Sequence, residues 1–234
     1  MSEVHPDAVG SPFVPEQTSA EAAVVAPRHP FIRSYRASDR ADVARICTLT
    51  AAGGGDATGV YSDDLLMPEV FALPYVTYAP DLAFVVDDGA GRAVGYILGV
   101  ADTAAFVDWW KREWTPGFVS RHPHPGPDTG SSPKFTEQEL LDAGRKPERM
   151  LIAGLDAYPA HLHIDLLPEL QGQGFGRRLI DTLRDALAER GVPGLHLSMD
   201  PGNVGARAFY DRLGFVELPS STPNSPLLGI PTAR

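Results

Sequence analysis

The sequence predicts an α/β (α+β) protein, and three observations carry that expectation. Two apolar runs, 82–87 and 93–100, flank Asp88-Gly89-Ala90-Gly91, which is a hairpin signal. A strand over 161–167, a helix over about 177–190 and a strand over 195–199 follow one another as a single parallel βαβ unit. Three glycines, Gly172, Gly174 and Gly176, lie between the first strand and that helix.

In chain order, residues 1–28 are rich in Pro, Ala, Glu and Val without periodicity and read as a flexible tail. Residues 31–35 read as a strand, and 39–51 as a helix with Cys47 among Val43, Ile46 and Leu49. Gly53, Gly54 and Gly55 then break the chain before the hairpin. The stretch 103–158 reads as an insert. It holds Trp109, Trp110 and Trp114, a Pro/Gly/His-rich run over 115–133 and a helix over 136–143. Leu179, Leu183 and Leu187 mark one face of the helix after the glycines, with Ile180 beside them, and Gly191 and Pro193 end it. A helix over 204–213 is closed by Gly214, and 215–218 starts a last strand. From 219 the Pro/Ser-rich end reads as a loose or docked tail. The expected organisation is one domain over 29–219 with tails at 1–28 and 220–234, and no internal repeat is present.

Composition narrows the function. With 234 residues and 43% hydrophobic content, the chain suits one domain with an ample core, or at most two. A formal charge of −10 argues against nucleic acid as a direct partner, because phosphate backbones are bound by surplus Lys and Arg. An acidic surface attracts a cationic substrate such as an amine, although acidity chiefly signals solubility. One cysteine, Cys47, excludes an internal disulfide and any multi-cysteine zinc site, and its neighbours make it a core thiol. No secretion signal and no apolar run long enough to span a membrane is found, so a cytoplasmic protein without membrane contact is expected.

The glycine turn is the most informative stretch. Glycines there let backbone N–H groups approach a ligand, and the new helix aims its unsatisfied N–H groups at the same spot. A helix dipole by itself favours acids in the first turn, yet Arg177 and Arg178 stand there, which suits an anion above the turn. Taken alone, such a turn also serves dinucleotides, for which Asp200 stands near the ribose-binding place, or simply makes a tight bend. A nucleoside triphosphate site lacks its Gly-Lys-Ser/Thr ending.

A second segment separates these options. Asn203-Val204-Gly205-Ala206-Arg207-Ala208-Phe209-Tyr210-Asp211-Arg212-Leu213-Gly214-Phe215 resembles the C-terminal motif of the GCN5-related N-acetyltransferase (GNAT) superfamily. Gln171-Gly172-Gln173-Gly174-Phe175-Gly176 resembles the pyrophosphate loop of the same superfamily, in the right order and one helix and one strand away. Phe31-Ile32-Arg33-Ser34-Tyr35, Gly95-Tyr96-Ile97-Leu98-Gly99, the Trp-rich insert and Ile164-Asp165-Leu166 further resemble the acetyltransferase-like C-terminal domain of animal O-GlcNAcase, which largely lacks the glycine loop intact here.

The resemblance implies a mixed, mostly antiparallel sheet flanked by helices and splayed where acetyl-CoA enters. It implies direct transfer of acetyl from acetyl-CoA, as co-substrate, to a primary amine on a small molecule, peptide or protein, with no metal. Two rivals remain: a non-catalytic acyl-CoA-binding module docking a partner through the Trp-rich insert, and transfer to a hydroxyl.

Carried onto this chain, the resemblance gives the backbone of Leu166 and Leu167 to the pantetheine arm and the amides of Gln171, Gly172, Gln173, Gly174, Phe175, Gly176 and Arg177 to the pyrophosphate. Asn203 caps the following helix and contacts the coenzyme. Tyr210 protonates the departing thiolate, where the bland reading is a core tyrosine.

Asp165 stands in an apolar strand, where a carboxylate is costly unless hydrogen-bonded or used. It reads as the base or amine-binding group, against a structural partner for a nearby histidine or backbone group. His161 and His163 share its face and read as groups that orient Asp165 or relay its proton, whereas His122 and His124 read as surface residues. Trp110 is a candidate pocket wall for the acceptor, against a stripe packing the insert onto the core, and Asp102 a weaker candidate for holding an amine.

Overall fold

The computed structural model describes residues 29–126 and 135–233 together with Met1. The tail read over 1–28 lies outside the described residues apart from Met1. Seven strands, β1 (Phe31–Ser34), β2 (Ala83–Asp87), β3 (Ala93–Val100), β4 (Ala160–Leu166), β5 (Gly194–Ser198), β6 (Val216–Glu217) and β7 (Leu227–Pro231), form one sheet in the order β1-β2-β3-β4-β5-β7-β6. Every pairing is antiparallel except β4 with β5. The β2–β3 turn places Gly89 and Gly91 at φ 83° and 94°, and both N–H groups donate to the Asp87 carboxylate. That carboxylate also pairs with Arg33 of β1 at 2.8 Å, which ties the first three strands together.

Helices cover both faces. Gly99 of β3 faces α7 (Phe175–Ala188), where a Cβ would lie 2.8 Å from Leu183 Cδ1, so glycine is what lets the helix sit this close. Leu179, Ile180, Leu183 and Leu187 are all buried, each contributing about 1.5–3 kcal/mol of apolar burial. Tyr96, on the opposite face of β3, meets Cys47 of α1 (Arg40–Thr50). Cys47 is buried, as its neighbours predicted, and burial pushes its thiol pKa up. Two short helices that the sequence pattern did not reveal, α2 (Leu66–Phe71) and α3 (Leu73–Tyr78), pack beside α1.

The insert is helical. α4 (Thr103–Trp109) runs through a π-turn at Trp110–Trp114 into α5 (Thr115–Arg121), and α6 (Glu137–Arg145) leads into a 3-10 turn at Pro147–Met150. Trp110 is fully buried and donates its Nε1–H to the Gly144 carbonyl at 2.9 Å. Its indole is thus a packing group within the insert, which corrects its assignment as an acceptor wall. An apolar ring with one donor is most stable where both are satisfied internally. His122 is likewise buried rather than on the surface, with Nε2 3.0 Å from the Glu69 carboxylate.

The end of the chain also departs from expectation. Residues 227–231 are no tail but β7, inserted between β5 and β6 with Leu228 fully buried. Pairing on both sides satisfies its backbone, and the Leu227-Leu228 run supplies the apolar side chains.

Candidate active site

Strands β4 and β5 pair only at Ala160↔Leu195 and His161↔His196, and beyond these residues they part. Two cavities share the resulting cleft. One, about 720 Å³, runs along the glycine loop and α8 (Val204–Leu213); the other, about 680 Å³, lies between β4, β5, α2, α3 and the insert.

The first cavity is lined by six glycines and the start of α7, together with side chains of β4 and α8. Gly172 and Gly174 adopt φ of 73° and 81°, and Gly174 is the N-cap of α7. The first ladder bond runs from Arg178 N–H to the Gly174 carbonyl at 3.2 Å, leaving the N–H groups of Phe175, Gly176 and Arg177 without intrahelical acceptors. All three residues line the cavity, so its end carries the partial positive charge of a helix N-terminus. A Cβ on Gly176 would lie 3.0 Å from Phe209 Cζ, so this glycine allows the close crossing of α7 and α8.

The arginine side chains do less than the sequence suggested. Arg177 donates to the Arg212 carbonyl at 3.1 Å, and Arg178 lies 4.9 Å over the Phe175 ring and outside the lining. Gln171, Gly172 and Asn203 line the cavity, whereas Gln173 turns its side chain back to the Glu169 carbonyl. Asn203 caps α8 by accepting from Ala206 N–H at 2.9 Å.

The strand edge distinguishes Leu166 from Leu167. Leu167 N–H donates to Val94 of the neighbouring chain segment at 3.2 Å, so that donor is spent. Alternation along an antiparallel pair turns the backbone of Ile164 and Leu166 the other way, to the open edge facing the cavity. The Leu166 carbonyl there accepts from the Gln171 carboxamide at 3.2 Å.

Asp165 stands on the wall common to both cavities, beside Thr50. Its Oδ2 accepts from Tyr96 Oη at 2.5 Å, and Tyr96 is its cross-strand partner on β3. Burial pushes the Asp165 carboxyl above the usual range, against the hydroxyls of Tyr96 and Thr50, which favour the charged form. Tyr210 lines the loop-side cavity, packed edge-on against Phe215 at 5.2 Å, and its hydroxyl bonds to no other group among the described residues. Burial first and the Asp165 charge second push its pKa up, so the phenol keeps its proton.

Comparison with known proteins decides the family. A family model described as "Acetyltransferase (GNAT) family" matches residues 58–215. The chain belongs to this acetyltransferase (GNAT) family. It is an acyltransferase. The crystal structure of SsHAT is 48% identical, covers 88% of this chain and 100% of its own, and superposes with a TM-score of 0.80. The [ribosomal protein bS18]-alanine N-acetyltransferase of Escherichia coli (strain K12) is 46% identical over 50 residues, 21% of this chain. That match spans 34% of the curated relative's length. PH1933 from Pyrococcus horikoshii OT3 shares the fold at 15% identity, with a TM-score of 0.53 over 87% of this chain and 98% of its own.

On the other side of Asp165, this acetyltransferase builds its second cavity from side chains of distant segments. The insert contributes Phe135, Glu139, Arg149 and Met150 rather than its tryptophans. Asp102 lines neither cavity. Its carboxylate caps α4 by accepting from Ala104 and Ala105 N–H at 2.8 and 3.0 Å, which corrects its reading as an amine holder.

His161 and His163 are joined through Tyr75, whose Oη lies 2.9 Å from His161 Nε2 and 3.0 Å from His163 Nε2. Thr103 spends its hydroxyl hydrogen on the Pro159 carbonyl at 2.7 Å, so His161 Nδ1, 2.9 Å from Thr103 Oγ1, must donate. Burial keeps His161 neutral; its Nε2 then accepts from Tyr75, and Tyr75 accepts from His163 Nε2–H. His163 is thereby left with its lone pair on Nδ1, and burial with the Arg149 charge pushes its pKa down to about 4. Neither imidazole touches Asp165 by a hydrogen bond, whereas the Tyr96 hydroxyl does.

Tyr96, Thr50, Arg149 and the Gly53-Gly54 turn, which lines the loop-side cavity, are the site residues sequence reasoning missed. Only the Gly-Gly break left a local signal.

Proposed function

We propose that the protein transfers acetyl from acetyl-CoA to a primary amine by direct attack within a ternary complex. The observation that carries this reading is the single carboxylate, Asp165, on the wall shared by the glycine-loop cavity and the cavity facing the insert. The helix N-terminus at Phe175, Gly176 and Arg177, with Gly172 and Gly174, suits a pyrophosphate. The open edge at Ile164 and Leu166 suits strand-like pairing with the pantetheine arm, with Gln171 giving up the Leu166 carbonyl.

In this reading Asp165, its affinity for a proton raised by burial, takes the proton of the incoming ammonium. The neutral nitrogen attacks the thioester carbonyl, and the Leu166 N–H steadies the oxygen as charge develops on it. The carbon–sulfur bond breaks, and Tyr210 gives its phenolic proton to the thiolate. Attack leaves two hydrogens on the acetylated nitrogen; one of them returns the phenol of Tyr210 to its starting state, and the proton held by Asp165 passes to solvent, so each ammonium acetylated releases one net proton.

Thiol release from acetyl-CoA against a panel of amines, amino sugars and peptides tests the proposal. Release well above hydrolysis with at least one amine supports it. Tight acetyl-CoA binding with no turnover across the panel would refute it in favour of a binding module.

A further inference from the structure

We propose that Arg149 is an anion-binding group of the side-chain-lined cavity, and that the acceptor is a small primary amine carrying a carboxylate or a phosphate. This rests on the transferase reading above and names its substrate class.

Arg149 supplies the only Lys or Arg side chain among the described residues lining that cavity. It forms no ion pair with a described carboxylate, whereas Arg33, Arg121, Arg190 and Arg207 all do. Its side chain is also positioned: Nε donates to the Ala143 carbonyl at 3.3 Å, and the guanidinium lies 5.5 Å over the Phe71 ring. Both contacts leave the two terminal nitrogens free, the geometry that grips a carboxylate or phosphate through paired hydrogen bonds.

The surrounding groups give the cavity two ends. Near Arg149, His161 and His163 are neutral, so no other cation competes for an anion. The lining carboxylate of Glu139 is engaged by Thr136 N–H and Oγ1 at 2.7 and 3.0 Å, and that of Asp200 by Gly202 N–H at 2.9 Å. Asp165 lies at the junction with the coenzyme cavity. An acceptor held by its anion at Arg149 presents its amine to Asp165, and about 680 Å³ suits a small molecule.

The test uses three primary amines of equal chain length, ending in a carboxylate, a phosphate or an alcohol, with transfer followed by thiol release. The anionic amines should exceed the alcohol in kcat/KM by about 10- to 100-fold. Arg149→Gln should remove most of that ratio and Arg149→Lys should keep part of it, with acetyl-CoA affinity by calorimetry confirming that each variant is folded. The better of the two anions identifies the headgroup.

Equal use of all three amines, or an unchanged ratio in Arg149→Gln, overturns the anion site while the transferase reading stands. Acetylation of peptides but of none of the small amines overturns it as well. Without turnover on any acceptor, calorimetric titration of the amino carboxylate into the coenzyme A complex decides. Binding lost in Arg149→Gln upholds the anion site and sinks only the transfer step; equal or absent binding sinks both.

Discussion

The two cavities that meet at Asp165 are made in opposite ways. The loop-side cavity takes most of its wall from two nearly continuous stretches, 164–177 and 203–213, and includes six glycines and a helix N-terminus. The other gathers side chains from α1, α2, α3, the insert, β4, β5 and the segment before β7. A site that reads a constant chemical group is well served by backbone, which carries no side-chain variation. A site that chooses among acceptors needs side chains, and those are free to differ between relatives of one fold.

The largest effect should come from breaking the wall between them. Asp165→Asn should lower kcat by about 100- to 1,000-fold with acetyl-CoA affinity kept. It should also remove the rising limb of kcat/KM with pH, which for a carboxyl raised by burial lies above the usual carboxylate range. A normal kcat would show that the amine loses its proton elsewhere. Tyr210→Phe should lower kcat by about 100-fold, toward the lower end of that range, with the acceptor KM unchanged.

The insert sharpens the contrast by separating packing from lining. Trp110→Phe deletes the donor to the buried Gly144 carbonyl and should cost about 1–3 kcal/mol in denaturant unfolding, with kcat/KM untouched. A raised acceptor KM at unchanged stability would return Trp110 to the cavity wall.

The histidines of the acceptor side predict acid sensitivity. Burial and the nearby Arg149 charge push the pKa of His163 down to about 4, below the ordinary imidazole value of about 6.5, so the unfolded chain takes up a proton that the folded site refuses. Stability should therefore fall as pH drops from about 6.5 to about 4, with at most about 3 kcal/mol from this residue. His163→Gln, which keeps a donor for Tyr75, should move the acid midpoint of circular dichroism to lower pH. The smallest effect is expected on the loop side. Gly174→Ala meets no atom within 4 Å but strains φ 81°, costing about 1–2 kcal/mol and weakening acetyl-CoA binding.

How much was legible follows the same division. The glycine loop, α7, β5 and α8 were readable because local turn chemistry and helical periodicity act within a few residues. Asp165 stood out as a carboxylate in an apolar strand. Its partner Tyr96 did not, because the β3–β4 register that sets them opposite joins residues 69 apart in the chain. Trp110 and Asp102 were misread for a related reason. A tryptophan fills a core as readily as a pocket, and an aspartate beside a strand end caps a helix as readily as it holds an amine.

The sequence by itself determined the α/β class, the phosphate-suited turn and the family, since each is written in contiguous residues whose backbone conformation is locally dictated. Only the tertiary structure decided where β7 goes, which face of the insert meets the cleft, that Leu166 and not Leu167 opens to it, and that Arg149 has no carboxylate partner among the described residues. Those outcomes depend on strand register and on long-range packing, where the free energy of a residue is set by neighbours that the chain brings from far away.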